Sequence, residues 1–441
     1  MFLYKHPAVG CSIAACTLWV TLLLCCMPGK AFTQFANDTI ILKPKAAEQI
    51  FLQQNIPLLA GRLNIDQADA KILQAKSWPN PSLEINDIQL YNKPETDASP
   101  GLMGTDFWRN RTFGAQLEQL VQLAGKRKKN IVFETRNKEL AQVAFTDLLL
   151  SLKAEFRQAI AELAYLQHVS GDLKFQYQLI KELALAHEKQ HAAGNISQSQ
   201  LYRIKALQIN IQAEMNEIAE QVTNKQQSLK SLMALSPAQY LIIDDSENAQ
   251  PVLSADKYNI QQLLELSAQH NTAIKIANQE KRVSEATLAI EKANAVPDLN
   301  LSLNYDRNGN NQLDFVGAGV AIDLPFFNRN RGNIKAAQYE VQKMELLEKN
   351  KTTTISNSIV KVWQDLHQSM TLFESFDKDY LTSINNMTTA ISDNFSKRNI
   401  SLLEFLDFFE SFKESKERYY QSIKNIALKK EDLQYLIGQD L

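Results

Sequence analysis

Two short runs of strictly alternating residues, set in a chain otherwise patterned for helix, constrain the fold more than any other feature. In residues 297–337, Leu299, Leu301, Leu303 and Tyr305 alternate with Asn300, Ser302, Asn304 and Asp306. A period of two gives a strand one apolar and one polar face. After a turn rich in Asn and Gly the pattern resumes: Val316, Ala318, Val320, Ile322 and Leu324 alternate with Gly317, Gly319, Ala321 and Asp323. Each run is close to the roughly 9 to 11 tilted residues that cross a bilayer as a barrel strand. A transmembrane hairpin is the expectation, with a soluble sandwich hairpin as the alternative. Pro325 cannot continue the ladder and Gly332 relaxes the backbone, so the chain is expected to leave the sheet there and enter a helix near Asn333.

Residues 1–31 read as a removable signal peptide. Lys5 supplies a positive start, Ala8 to Met27 is mostly apolar, and Gly29-Lys30-Ala31 offers small residues for cleavage. A faint lipoprotein-like box at Ile13-Ala14-Ala15-Cys16 leaves lipidation as an alternative. All four cysteines lie in this segment, so the exported chain has neither a disulfide nor a thiol ligand. The 441 residues suffice for a sizeable core, and a formal net charge of −2 gives no electrostatic case for nucleic acid. No apolar run of membrane-helix length follows the signal. If the exported protein sits in a membrane it does so by strands, which implies an outer membrane.

The chain repeats itself. Phe113-Gly114-Ala115 precedes Val316-Gly317-Ala318 by 203 positions, and Asn130-Ile131 precedes Asn333-Ile334 by the same distance. Asn195-Ile196-Ser197 precedes Asn399-Ile400-Ser401 by 204, as Leu229 and Leu232 precede Leu433 and Leu436. An offset kept to within one residue over so long a stretch marks a tandem duplication. The first half therefore needs its own hairpin. Ser82 to Tyr91 follows Pro79-Asn80-Pro81, with Leu83 and Ile85 on one face and Ile88 and Leu90 on the other, which suggests a bulge near Asn86-Asp87. Thr112 to Val121 is the return strand, and the polar stretch Asn92 to Asn110 is a surface loop. Trp78, Phe326 and Phe327 fall at one end of the strands and Tyr91, Trp108 and Tyr305 at the other, as rings at two membrane interfaces would, or as ordinary strand aromatics.

Each return strand leads into a long helical run. Phe145, Leu149, Leu152, Phe156, Ala159, Leu163, Leu166, Ser170, Leu173, Tyr177, Ile180 and Ala184 are spaced four and three apart, the seam of a coiled coil. Leu201, Ile204, Ile211, Met215, Ile218, Val222, Leu229 and Leu232 continue it, and Phe405, Phe409, Phe412, Tyr419, Ile423, Ile426, Leu433 and Ile437 repeat it, interrupted at Lys416 and Lys430. Between the arms, Gly194 can take positive φ, and Asn195 or Asn399 tolerates it. Ser197 with Gln200, and Ser401 with Glu404, fit capping boxes that restart a helix. The plan divides the chain into residues 1–31 (signal), 32–78 (an N-terminal helical region interrupted at Pro57), 79–124 (first β-hairpin), 125–235 (first helical hairpin), 236–257 (inter-repeat linker), 258–296 (helix), 297–325 (second β-hairpin) and 326–441 (second helical hairpin).

Asn80-Pro81 before the first strand, Ala124-Gly125-Lys126-Arg127 after the second, the run Leu324 to Gly332 (LPFFNRNRG) after the fourth, and the paired tips resemble the TolC family of outer-membrane efflux channels. The form of the Pro325 to Gly332 run is most similar to the CzcC-like heavy-metal branch. The resemblance implies a mainly α fold with a β-barrel contribution, a homotrimer whose four strands per protomer close a twelve-stranded barrel above a helical periplasmic tunnel. It implies a periplasmic adaptor (membrane fusion) protein and an inner-membrane pump of the resistance-nodulation-division type as partners, besides outer-membrane lipid, and no cofactor. Gly194, Asn195, Ile196, Ser197 and Leu201 in one tip, and Asn399, Ile400 and Ser401 in the other, are then adaptor contacts, with Gly125, Pro325 and Gly332 at the strand–helix junctions. Asn399 stands where the family usually has Gly. Glu404 and Asp407, three apart on one helical face, match in position the family's acidic entrance constriction, although Glu404 also fits a cap and Asp407 a solvated site.

His187-Glu188-Lys189-Gln190-His191 is a literal H-E-x-x-H, a zinc-protease motif on a helix. No third ligand is evident and the motif ends a coiled-coil run, so the preferred reading is a solvated helix face. A channel needs no catalytic group, because the pump supplies the energy. The competing function class is an exported coiled-coil scaffold, which would share the heptads but has no use for alternating strands at matching places in both halves.

Overall fold

The computed structural model describes residues 39–88, 112–245, 259–307, 314–377 and 379–441. The signal segment, the loop containing Trp108 and Tyr91, Leu90 and most of the inter-repeat linker lie outside the described residues. In chain order the elements are β1 (Thr39–Leu42), α1 (Pro44–Gln54), α2 (Ile56–Lys76), β2 (Ser82–Asn86), β3 (Phe113–Val121), α3 (Lys126–Ala192), α4 (Gln198–Met233), β4 (Tyr240–Ile243), α5 (Ile260–His270), α6 (Thr272–Asn294), β5 (Leu299–Arg307), β6 (Phe315–Ile322), α7 (Arg331–Glu374), α8 (Tyr380–Ser396) and α9 (Leu402–Ile437). The 67 residues of α3 rise about 100 Å at 1.5 Å per residue.

The helices associate through the seams visible in the sequence. Phe156, Ala159, Leu163, Leu166, Leu173, Ile180 and Ala184 of α3 are buried, as are Ile204, Ile211, Val222 and Leu229 of α4. Three apolar clusters follow one another along the bundle. One joins α1, α3, α4 and the β1–β4 pair, where the Phe51 and Phe156 rings stack at 4.8 Å. A second, around Ile180, Ile211, Phe395 and Phe405, ties the two helical hairpins together near their tips. The third packs Leu263 of α5 against Ile359 and Leu366 of α7 and Leu433 of α9. Lys416, which interrupts the α9 seam, is 9% exposed; its ammonium is paired with Asp172 and donates to Asn385 Oδ1 at 2.7 Å, so the burial is neutralised.

Duplication extends to the caps. The last turn of each returning helix is closed from outside by an asparagine that also starts a helix. Asn55 donates to Leu232 O and accepts from Leu58 N; Asn271 donates to Leu436 O and accepts from Ile274 N. Helix ends leave such carbonyls and amides unpaired, and one side chain here satisfies both kinds.

Several expectations need correction. Among the described residues, the region expected to be helical after residue 32 opens with β1, and the linker contains β4; the two pair in parallel. The signal was weak because four-residue strands depend on tertiary partners: Gln226 and Gln167 both donate to Leu241 O, and Gln226 accepts from Leu241 N, where a further strand would otherwise stand. The break in the N-terminal helices falls at Asn55, with Pro57 in the first turn of α2, where a missing N–H costs nothing. The single helix expected at 258–296 is split at Asn271. The outgoing arm of the second helical hairpin is broken into α7 and α8, whereas its counterpart α3 is continuous; at the break the rings of Phe376 and Tyr380 converge on Tyr419 at 5.2 and 5.6 Å.

Candidate channel wall, junction and tips

β2, β3, β5 and β6 form one antiparallel sheet in that order. Register places Leu83, Leu117, Leu303 and Ala318 in one row, and Ile85, Ala115, Tyr305 and Val316 in the next. Directly opposed residues share a face, so these rows, with Leu301, Val320, Leu299 and Ile322, make an apolar surface that is interrupted at Gln119, opposite Leu301, and ends at Arg307, opposite Phe113. It is uncovered: Leu83, Val316 and Val320 are each 67 to 70% exposed. The other face carries Glu84, Gln116 and Asn304 in one row, Ser82, Glu118 and Ser302 in the next, and no Lys or Arg on its described strand positions. On the β6 part of that face Gly319 leaves room for Ser302, whose Oγ a Cβ there would meet at 2.5 Å, and Gly317 is covered by the ring of Phe315, 2.8 Å from where its Cβ would stand. The first strand is shorter than the sequence suggests. β2 ends at Asn86 because Asp87 takes φ of 54°, which turns Ile88 out of the ladder in place of a bulge within it.

At the junction Gly125, φ 66°, turns the chain from β3 into α3. Its counterpart before α7 is Asn330, φ 55°, and not Gly332. Gly332 lies inside the first turn of a helix that starts at Arg331, with nothing within 4 Å of an added Cβ. Asn330 is fixed by donation to Glu291 O at 2.8 Å and Glu291 Oε2 at 2.7 Å, a tertiary anchor that spacing alone does not reveal. Pro325 sits in the tight exit from β6, where Phe326 N donates to Leu324 O.

Both tips are the same turn. In the first, Gly194 has φ 77° and Asn195 N donates to Gln190 O; in the second, Arg398 has φ 61° and Asn399 N donates to Asn394 O. This is a helix C-terminus closed by a left-handed residue followed by a six-to-one bond. The left-handed position of the second tip is thus held by Arg398, not Asn399. The repeat offset of 204 carried that signal, since it sets Arg398 against Gly194. The Arg398 guanidinium reaches across to Gln190 Oε1 at 2.7 Å, joining the tips. Both capping boxes form, with Ser197 N donating to Gln200 Oε1 and Ser401 N to Glu404 Oε2 at 2.7 Å. That backbone bond holds the Glu404 carboxyl below the usual carboxylate range. Glu404 and Asp407 are both exposed, on the side of α9 away from buried Phe405. Gly194, Asn195, Ser197, Asn399 and Ser401 are exposed and Ile196 and Ile400 half-buried, whereas Leu201 is 7% exposed. Leu201 opens the inward stripe of α4 and is a core residue, not a surface contact.

The H-E-x-x-H histidines are not a solvated face. His187 Nδ1–H donates to Leu183 O at 2.9 Å and its ring stacks on Phe395 at 5.2 Å, while His191 Nδ1–H donates to Ile196 O at 3.1 Å. Glu188 pairs with Lys205 at 2.6 Å. All three are occupied in holding the first tip together and against the second. Among the described residues no group of three or more His, Cys, Asp or Glu is placed to share a metal ion. No described helix is long and apolar enough to cross a membrane.

No family profile matches the chain. In sequence it is similar to the cobalt-zinc-cadmium resistance protein CzcC of Cupriavidus metallidurans, 22% identical over 375 residues that cover 85% of each protein. It is also similar to the nickel-cobalt-cadmium resistance protein NccC of Alcaligenes xylosoxydans xylosoxydans, 24% identical over 326 residues, 71% of this chain and 68% of that protein. In structure it superposes on the CmeC outer-membrane channel of Campylobacter jejuni with a TM-score of 0.71 and 13% identity, covering 90% of this chain and 85% of that one. The chain thus has the fold of outer-membrane channels with a helical tunnel, and its resemblance to the CzcC-like branch of the TolC family is borne out.

Proposed function

We propose that this chain is the outer-membrane channel subunit of a tripartite efflux system, a passive and gated exit path for substrates passed on by an inner-membrane pump through a periplasmic adaptor. The observation that carries the reading is the sheet: exposed and largely apolar on one face, largely polar on the other, and ending in two unpaired edges, β2 and β6, at the head of a helical bundle whose α3 rises about 100 Å. Backbone groups on an open edge cannot remain unpaired in lipid, so four strands alone do not span a bilayer. A homotrimer solves this by joining β6 of each copy to β2 of the next, giving three times four, or twelve, strands. The polar face then lines a wet lumen whose Glu84, Glu118 and Asp306 favour cations.

The relatives' names assign them to resistance against cobalt, zinc, cadmium and nickel, and heavy-metal cations are the cargo proposed for this chain. The pump is of the resistance-nodulation-division type. The tips at residues 194–197 and 399–401 meet the adaptor, and Glu404 with Asp407 narrow the entrance. Nothing in this scheme asks the chain for catalysis. An exported scaffold, the competing class, gives no reason for a bare apolar sheet face. Purification in detergent is expected to yield an SDS-resistant trimer that forms single channels in planar bilayers; a monomer that stays dissolved without detergent and conducts nothing overturns the proposal. Deletion is expected to sensitise cells to zinc, cobalt, cadmium or nickel, and unchanged sensitivity to all four overturns the cargo.

A further inference from the structure

The junction between sheet and helices carries charge of one sign where helix electrostatics oppose it. α3 opens with Lys126, Arg127, Lys128 and Lys129, and α7 opens with Arg331, flanked by Arg329 and Lys335; neither has an acidic residue in its first turn. A helix N-terminus is already partly positive, so cations there cost helix stability and need an external reason. Internal carboxylates compensate little of this charge. Lys126 pairs with Asp298 at 2.8 Å. Arg127, Lys129 and Arg329 donate to the backbone carbonyls of Lys76, Ala124 and Pro325, which accept hydrogen bonds but cancel no charge. Lys128 and Arg331 are exposed and form no ion pair among the described residues. Of the nearby acids, Glu291 accepts from Asn330 and places its charge at the start of α7, offsetting one cation there, and Asp323 is exposed.

A second observation lies beside the first. Leu324 and Phe326 are 64 and 70% exposed, Phe327 is fully exposed, and Trp78 stands 62% exposed with the Arg127 guanidinium 4.5 Å from its ring. Leu324 keeps the alternation of the apolar face two residues beyond Ile322, Phe326 and Phe327 immediately precede the basic run in sequence, and Trp78 touches it through Arg127. We infer that this aromatic and basic girdle binds the anionic headgroups of phospholipids in the periplasmic leaflet. The rings sit at the acyl boundary and the cations at the phosphates, so that lipid supplies the negative charge the helix starts lack. The inference rests on the membrane-channel reading and adds to it a preference for lipid charge, repeated in both halves of the duplicate.

Trp78 reports on the girdle directly. In a variant carrying Trp108→Phe and Trp363→Phe, reconstituted into phosphatidylcholine bilayers, quenching of Trp78 by brominated phosphatidylglycerol is compared with quenching by brominated phosphatidylcholine. Phosphatidylglycerol is expected to be favoured at least about tenfold, and K128Q, R329Q, R331Q and K335Q combined are expected to abolish most of that preference. The preference is also expected to shrink in high salt, a measurement on the Trp108→Phe, Trp363→Phe protein that does not depend on the folding of the charge variants. Equal quenching by the two lipids, or a preference untouched by salt and by the substitutions, overturns the inference. Absence of quenching by either lipid instead overturns the membrane reading beneath it.

Discussion

Replacing Asn55 by Ala should cost more than the same change at its repeat partner Asn271, although the two make the same pair of bonds. Asn55 is fully buried; its amide is the donor to Leu232 O at 2.8 Å and its carbonyl caps α2 through Leu58 N at 3.0 Å. Removing it deletes a cap, about 1 kcal/mol, and strands a buried carbonyl, about 1 to 3 kcal/mol more. At the second site Leu436 O accepts from Asn271 at 2.8 Å and also from Ser267 Oγ at 3.1 Å. The carbonyl keeps a donor when Asn271 goes, so the loss should be near the cap alone, about 1 kcal/mol. The position matching Ser267 in the first half is Phe51, buried against Phe156, which has no hydroxyl to offer. Unfolding of the detergent-solubilised protein, followed by far-UV circular dichroism in denaturant, ranks the variants. Asn55→Ala should be the less stable by about 1 to 3 kcal/mol, and adding Ser267→Ala to Asn271→Ala should close the gap. Equal losses at the two asparagines, or no further loss on adding Ser267→Ala, would refute the carbonyl argument.

Other consequences follow from single contacts. Lys416→Met leaves Asp172 beside a buried site without its cation and should destabilise by about 3 kcal/mol; Asp172→Asn added to it should recover part of that, as a double-mutant cycle would show. At the tips, Gly194→Ala puts a Cβ on a residue at φ 77° and should cost about 1 to 2 kcal/mol. Arg398→Gly should come out near neutral, since relief of the same strain offsets the lost bond to Gln190; amide exchange at residues 186–204 and 390–408 distinguishes the two. His168 is held above its ordinary 6.5 chiefly by its bond to Asp245 at 2.9 Å, and Asp245 below 3.8 by the same bond. The raised histidine stabilises fully below about pH 6.5 and loses its contribution as pH climbs through the raised value, while the depressed Asp245 loses its own as pH falls below 3.8. Stability should therefore decline from pH 6.5 upward in the parent and be flatter in Asp245→Asn; both groups are partly exposed, so the effect is small.

What the sequence discloses and what it hides divide along a physical line. Alternation in β3, β5 and β6 and the seam from Phe156 to Ala184 are local patterns with one favourable solution each, and the chain adopts it. β1 and β4 exist only because they meet across some 200 residues and because Gln226 and Gln167 satisfy the backbone of Leu241. No local pattern encodes that. Asn330 doing the work expected of Gly332 is a similar case, since Asn pays for positive φ through its bonds to Glu291, on the preceding helix. The histidines of the H-E-x-x-H motif were misplaced for a different reason: the spacing shows that they share a helix face but not that Phe395 of the other hairpin covers it.

Comparing the two halves separates what the tunnel requires from what it tolerates. The outgoing helix is continuous in the first half and broken before Tyr380 in the second, and the loop-side strand β2 is shorter than β5, so helix continuity and strand length are not held equal. The tip turn is held. Its left-handed residue changes from Gly194 to Arg398 at a cost in backbone strain, yet the bond from Asn195 to Gln190 has its equivalent from Asn399 to Asn394. The capping box changes from Gln200 to Glu404 and still closes. The junction is also held, with basic residues opening both α3 and α7 against the helix dipole although the residues themselves differ. Features that persist through substitution, and at an energetic disadvantage to the isolated chain, are those a surrounding partner must repay. In this protein they lie at the two ends of the helices, the ends at which the proposed adaptor and lipid contacts fall.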